Sequence, residues 1–373
     1  MGLPVLVACL LANPAAQATQ IPMPKRLAPE LIGRYDWTGT SIPTNGHAQP
    51  GFGEFDSAMM KYLRYVGAPG GGLTVYYKGH KLYSKGFGYA DVDAKIPFKP
   101  STPTRISSVS KYLTKSAIEA LIAQGKLHSD DRVIDILRKG SVVPLVAGEK
   151  TADGRVSQIT VQQLLDHKSG IEAGLDISEC TKDSVVRLMK FTKPISAENA
   201  LGYVLGRPLK SDPGTKDLYS NYGYALLGKI IQIVSGQSYE QFVRSNVLLP
   251  GSDPKKWFIT TAQRKDKRAG EAEYYSSSPH RTWNAFRWDI LAGAGGWVVP
   301  VDGLAELFAR KFPGPGWDLT YFGSYTGAVT VMKVHKNSLT FAASINFRRG
   351  NDANDNDVLF AALEKATEHL KFP

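Results

Sequence analysis

Strand signals stand at the two ends of this 373-residue chain, and helical signals fill its middle. Leu73 to Tyr77 and Lys81 to Phe87 flank Lys78-Gly79-His80, a pattern that predicts a β-hairpin. Leu319 to Tyr325, Ala328 to His335 and Leu339 to Phe347 predict three consecutive strands near the other end. Between them, apolar residues recur at helical spacing in Ser108 to Leu127, Ile159 to His167, Tyr222 to Ser235 and Tyr239 to Leu249. Glu54 to Val66, Asp302 to Phe312 and Asp357 to Leu370 predict amphipathic helices around the strands. This order predicts an α+β fold, with an antiparallel sheet built from both chain ends, flanked by helices, and a mainly helical domain inserted. The expected division is a sheet subdomain of about residues 54–106 and 290–373 and a helical subdomain of about 107–289.

Local signals refine this outline. Thr160 is expected to cap the short second helix, and Gly236 to close the third. Gly70-Gly71-Gly72 is expected to end the first helical segment. Gly293-Ala294-Gly295-Gly296 has no strand–G-x-G-x-x-G–helix context, so it reads as a structural turn and not as a phosphate cradle. Residues 19–53, rich in Pro, Gly and Thr from Pro22 onward, read as an extended lead-in to a domain at 54–373. Leu3 to Ala12 has the length of a signal-peptide core, and Ala16-Gln17-Ala18 has the form of its cleavage site. Residues 1–18 are therefore expected to be an export signal, giving a secreted or periplasmic protein. Leu6-Val7-Ala8-Cys9 also has the form of a lipoprotein cleavage box, but five preceding residues are a short leader, so lipid anchoring ranks second. An apolar N-terminal strand or tail remains the alternative.

Composition removes several classes. With 45 Lys plus Arg against 34 Asp plus Glu, the formal net charge is +11, which permits attraction to anionic partners. The cations are scattered, and the densest stretch, Lys255 to Arg268, reads as a solvated face and not as a nucleic-acid site. Two Cys exclude a disulfide scaffold, and the lack of an 18-residue apolar run excludes a membrane-spanning helix. No His or Cys pair has metal-ligand spacing, so neither a metal nor another cofactor is expected. Gly323 to Gly327 carries Tyr at its centre, so no G-x-S-x-G elbow of an α/β-hydrolase is present.

The chemistry-bearing residues lie in three places. Ser108-Val109-Ser110-Lys111 has the S-x-x-K form, and on a helix i and i+3 share a face. An amine so placed can help remove the hydroxyl proton, which a serine needs before it becomes a nucleophile. A plain N-cap serine explains Ser108 equally well on spacing alone, and Ser252-Asp253-Pro254-Lys255 repeats the pattern by chance in a loop. Tyr219-Ser220-Asn221 precedes the third helix; a phenol can relay a proton and an amide can orient a lysine or a substrate carbonyl. A packed Tyr with a capping Asn is the bland explanation. His167 reads as structural.

Taken together these segments resemble the serine β-lactamase and penicillin-binding-protein superfamily, in its class C-like branch of esterases, D-aminopeptidases and DD-peptidases. Arg105 to Thr114 is similar to the active-serine segment. Ile159 to Gly170 is similar to the branch's Leu-Leu pair followed by His, a variable residue, Ser and Gly. Pro213-Gly214-Thr215 with Tyr219 to Tyr224 is similar to the second motif. The resemblance spans roughly residues 55 to 370 and implies a β-lactamase/transpeptidase-like fold. It implies that Ser108 is acylated, that Lys111 assists its deprotonation, that Tyr219 shuttles a proton, and that Asn221 holds Lys111 or the substrate amide. Which of Lys111 and Tyr219 is the base stays open.

The family's third motif, Lys or His then Thr or Ser then Gly, is best matched by Tyr325-Thr326-Gly327. Tyr325 in the cationic place weakens the anchoring of a substrate carboxylate. Gly327 would let substrate approach, and the backbone N–H groups of Ser108 and Ala328 would form an oxyanion hole. Two functions follow. One is a secreted serine hydrolase acting on a small ester or a D-amino-acid-type, cell-wall-like amide or peptide, with true β-lactamase or DD-carboxypeptidase action ranked lower. The other, motivated by Tyr325, is a ligand-binding module without turnover.

Overall fold

The computed structural model describes residues 35–146, 152–172, 183–253, 255–277, 287–350, 354–368 and 370. The expected export signal, the lead-in up to residue 34, Cys9 and Cys180 lie outside the described residues.

The main sheet is antiparallel, in the order β1-β3-β2-β11-β10-β9, with β4 paired to β3. The strands are β1 (Thr44–Ala48), β2 (Gly70–Tyr77), β3 (His80–Asp91), β4 (Ile96–Pro97), β9 (Leu319–Tyr325), β10 (Ala328–Val334) and β11 (Leu339–Ile345). A smaller antiparallel sheet has the order β5 (Pro103–Arg105), β8 (Trp297–Pro300), β6 (Phe258–Ile259), and β7 (Tyr275–Ser276) pairs in parallel with β12 (Phe347–Arg348). Strand alternation divides the core in two. On β10 and β11, Val329, Val331, Phe341, Ala343 and Ile345 turn to one face, while Met332, Val334 and Ala342 turn to the other.

Two helices cover the first face, α1 (Gly53–Val66) and α11 (Asp355–Thr367), which pack on each other. Phe55, Met59, Leu63, Leu359 and Leu363 supply their apolar stripes, and Gly67 in the left-handed region closes α1. On the second face α10 (Val301–Lys311) packs against β2 and β11. Beyond it lie α2 (Ser110–Ala123), α3 (Val133–Lys139), α4 (Val161–Leu165), α5 (Asp183–Leu188), α6 (Ala197–Leu205), α7 (Asn221–Ser235), α8 (Tyr239–Asn246) and α9 (Trp288–Gly295). Thr160 caps α4 in a reciprocal box with Gln163, and Gly236 closes α7.

Three sequence expectations need correction. The lead-in contains strand β1, whose polar Thr44-Asn45-Gly46-His47-Ala48 has no apolar alternation because it is a half-exposed sheet edge. Gly70-Gly71-Gly72 opens β2 instead of ending a helix; a side chain at Gly71 would strike Ile345, and one at Gly72 would strike Val301 and Phe98. Gly293 to Gly295 form the last turn of α9, with Gly296 as its cap residue. Gly293 is needed there because α9 crosses α7 closely, its Cα position lying against Gly228, and a Cβ would come 2.5 Å from Tyr224 O.

Candidate active site

Ser108 sits in a single 3₁₀ turn, Ser107–Val109, between β5 and α2, so the α-helix begins two residues after it. Ser107 adopts φ 49°, a left-handed conformation uncommon for a non-glycine residue. Trp297, the first residue of β8, holds both flanks of this turn. Its carbonyl accepts Ile106 N–H at 3.0 Å, and its own N–H donates to Ser110 Oγ at 3.1 Å. The Ser108 side chain is half-buried and its hydroxyl has two neighbours of opposite character.

The first is Lys111, one turn along, with Nζ 3.3 Å from Ser108 Oγ. Nζ also lies 2.8 Å from Asn221 Oδ1, at the start of α7, and 2.7 Å from Ala294 O, in the last turn of α9. Burial alone lowers the Lys111 pKa from 10.5 to about 7. A neutral amine has two N–H bonds and one lone pair. In that form Asn221 Oδ1 and Ala294 O, which can only accept, take the two N–H bonds and the lone pair is left for the Ser108 O–H; in the charged form Nζ donates to Ser108 Oγ as well. The neutral form is the arrangement a general base requires.

The second neighbour is Tyr219, whose hydroxyl donates to Ser108 Oγ at 2.8 Å. The residue is 47% exposed, while Lys111 Nζ lies 4.7 Å from the ring centroid. Desolvation raises the phenol pKa, and the bond to Ser108 offsets this only in part. Tyr219 is thus protonated at neutral pH, and of the two groups only Lys111 has its pKa moved toward neutrality.

His167 holds the Tyr219 segment. Its carbonyl accepts Leu218 N–H at 2.7 Å, and its Nδ1 accepts Ser220 N–H at 3.1 Å, so both chain neighbours of Tyr219 are tied to one residue. Its ring lies 4.6 Å from that of Tyr219. Burial, with the Lys111 charge, lowers the His167 pKa to about 4, so the imidazole is neutral and Nδ1 is free to accept. His167 takes φ 58°, which turns its carbonyl and ring toward the same segment.

The contact that ties β9 to the Ser108 turn is made at Gly323 and not at the expected Tyr325-Thr326-Gly327. Tyr325 ends β9, Thr326 and Gly327 form the two-residue turn, and Ala328 begins β10 opposite Tyr325. Ala328 is fully buried on a strand between two others, so its N–H is committed to the hairpin and not to an oxyanion hole. Tyr325 is buried, its ring meeting Trp288 edge-on at 5.4 Å and lying 5.8 Å from the Arg105 guanidinium. The residue of β9 that reaches the Ser108 turn is Gly323. A Cβ there would collide with Ile106 O and come 3.3 Å from Ser107 Cβ. Two residues earlier on the same face stands Tyr321, packed edge-on against Tyr112 at 5.6 Å. Tyr321-Phe322-Gly323 is a second aromatic-x-Gly stretch, and only the packing of the sheet on the Ser108 turn distinguishes it from Tyr325-Thr326-Gly327.

The dense basic stretch is built into the surface. Arg264 and Lys267 pair with the buried Glu273 at 3.1 and 3.2 Å, and Arg268 lies 3.7 Å from Glu240. Among the described residues no cluster of His, Cys, Asp or Glu could hold a metal ion, and no helix is long and apolar enough to cross a membrane.

With this geometry in place, the family comparison is decisive: the family described as Beta-lactamase matches residues 55–332. The chain belongs to the beta-lactamase family. Protein flp of Staphylococcus aureus strain MW2 is 31% identical over 226 residues, which are 61% of this chain and 42% of flp. The match therefore spans about two fifths of that relative's length. The D-amino acid amidase of Ochrobactrum anthropi has the same fold, with a TM-score of 0.65 at 17% identity, covering 85% of this chain and 97% of the amidase. The structure of EstCE1, described as a hydrolase with promiscuous acyltransferase activity, gives a TM-score of 0.60 at 16% identity, covering 83% of this chain and 97% of its own. Within this beta-lactamase family member, Lys111's contact with a main-chain carbonyl and the holding of Tyr219 by His167 were not anticipated. Main-chain acceptors carry no side-chain signature, though the Leu-Leu-x-His segment did point at His167.

Proposed function

We propose that this protein is a serine hydrolase that forms an acyl-enzyme on Ser108 and cleaves esters or amides of D-amino-acid type. The observation that carries the proposal is the convergence of a depressed amine and a protonated phenol on one accessible hydroxyl. Lys111 removes the Ser108 proton as Oγ attacks the carbonyl carbon. Tyr219 protonates the departing alkoxide or amine, and the proton held by Lys111 restores the phenol. Water then takes the leaving group's place, and the same two groups return Ser108 to its resting state. Asn221 orients Lys111.

The oxyanion formed on attack needs two N–H donors. Ser108 N–H is one. For the other, β9 is the free edge of the sheet, and Tyr325 with Ala328 closes the hairpin as a hydrogen-bonded pair. Bonded and non-bonded pairs alternate, so Ser324 turns its N–H off the edge, next to Gly323 and the Ser108 turn. Along the face of β9 that meets this turn stand Leu319, Tyr321, Gly323 and Tyr325, none of them cationic. This supports a neutral ester or amide over a substrate that must be held by a free carboxylate, and so ranks β-lactam and carboxypeptidase chemistry lower. The sheet with its two covering helices and the helices around α7 are proposed as the two subdomains, with the site at their junction.

Fluorophosphonate labelling tests the reading. The wild-type chain should be modified at Ser108 and hydrolyse a short-chain nitrophenyl ester, and Ser108→Ala should lose both. Hydrolysis persisting in Ser108→Ala would overturn it.

A further inference from the structure

Behind Lys111 lies a buried polar chain that the proposed reaction does not use. Thr114, one turn after Lys111 on α2, places Oγ1 2.6 Å from Gly293 O and 2.7 Å from Tyr239 Oη. Tyr239 Oη in turn lies 3.0 Å from Trp297 Nε1. The hydrogens in this chain have one consistent order. Indole Nε1 can only donate, so Tyr239 Oη accepts from Trp297 and directs its own proton to Thr114 Oγ1. Thr114 then has its single proton for a carbonyl, and Gly293 O at 2.6 Å is nearer than Ser110 O at 3.3 Å. Thr114, Tyr239 and Trp297 are all buried, so every one of these bonds must be made within the protein.

Gly293 O and Ala294 O are successive carbonyls at the C-terminal end of α9, where helical carbonyls have no partner in the helix. Thr114 binds the first and Lys111 binds the second. The two side chains are three apart on α2, so the same face of one helix grips the end of the other. The residue that follows this end, Trp297, supplies both the indole that starts the chain and the main-chain groups flanking Ser108.

We infer that Thr114 and Tyr239 are positioning residues: through Gly293 they hold the end of α9 so that Ala294 O keeps one Nζ–H of Lys111 and leaves the lone pair on Ser108. The inference rests on the acyl-enzyme reading above and adds residues that touch neither substrate nor the reacting atoms. Ala294 O is an anchor that no side chain can replace, and Thr114 is the group that fixes it.

The test compares Thr114→Val, Thr114→Ser and Tyr239→Phe with the parent chain, using a nitrophenyl ester and a fluorophosphonate. Active sites are counted by titration, so that loss of folded protein does not count as loss of rate. Thr114→Val should lower kcat per active site on the order of ten- to a hundredfold, the scale expected when a catalytic group drifts by an ångström. KM should be unchanged, and labelling of Ser108 should slow by the same factor. Thr114→Ser should restore the rate, and Tyr239→Phe should fall between. Because a carbonyl acceptor favours the charged amine, its retreat should also move the acid limb of the pH–rate profile of Thr114→Val to lower pH. An unchanged kcat and profile in Thr114→Val, or a Thr114→Ser variant as slow as Thr114→Val, would overturn the inference alone. Turnover that survives Ser108→Ala in the parent would instead remove the acyl-enzyme reading and this inference with it.

Discussion

Replacement of Lys111 by Met, which keeps the length and removes the charge, offers a measurement of the amine's state that does not depend on turnover. Burial places the Lys111 pKa at about 7, against 10.5 for an ordinary lysine. Between these values the unfolded chain carries a proton at this position and the folded chain does not. Stability then rises with pH by about 1.4 kcal/mol per pH unit from this residue. Below pH 7 both states are protonated and the term is flat. Between pH 7 and pH 9 the wild-type chain should therefore gain about 2 kcal/mol relative to Lys111→Met, because the amine is still half protonated at the lower limit. Groups common to both chains cancel in the difference. Urea unfolding of both proteins at pH 6, 7, 8 and 9 reads the effect directly. A stability difference that stays constant across this range would mean that Lys111 does not titrate near 7, and the assignment of the base would fall with it. Below that window kcat/KM for an ester should drop about tenfold for each pH unit under 7, as the neutral amine is depleted.

The other expectations are narrower. Tyr219→Phe removes the hydroxyl that donates to Ser108, so ester turnover should fall on the order of a hundredfold or more while the melting temperature barely changes. Gly323→Val places a side chain against Ile106 O and should push β9 off the Ser108 turn; kcat should fall further than the cost of overpacking, about 1–3 kcal/mol by chemical unfolding, would suggest. His167→Ala should slow turnover by freeing the Tyr219 segment, yet leave the midpoint of the acid limb near 7, because His167, with a pKa of about 4, is neutral there. A short acyl nitrophenyl ester should be turned over faster than a chromogenic cephalosporin, and the reverse order in a direct rate comparison would refute the argument from the uncharged face of β9.

Periodicity made much of this architecture legible. Helix α7, with Leu226, Leu227, Ile230 and Ile231 inward and Gly236 at its end, follows from the sequence, as do the three strands from Leu319 onward. Side chains that the structure brings together were legible too: Ser108, Lys111, Tyr219 and Asn221 stand in recognisable short patterns. Where a glycine marks close packing, the pattern misled. Gly70 to Gly72 and Gly293 to Gly296 look like breaks, but one opens a strand and the other ends a helix, because the reason for glycine is a neighbour distant in sequence. Tyr325-Thr326-Gly327 and Tyr321-Phe322-Gly323 pose the same difficulty. Local chemistry cannot choose between them, and the choice is made by Ile106 and Ser107 meeting Gly323 across the molecule.

Strand β11 lies between β2 and β10 and is thus the bridge joining the early hairpin to the late one. On the ribosome, Ser108, Lys111 and Tyr219 all emerge well before Leu339, the first residue of that bridge. Until it pairs with β2, the late hairpin has no place on the sheet and Gly323 cannot dock beside Ser107. A nascent chain therefore carries Ser108, Lys111 and Tyr219 before the strand that packs against the Ser108 turn is in place. The wall beside Ser108 thus waits on a closure that pairs Leu339 with Tyr77, the kind of distant contact whose loop entropy slows folding.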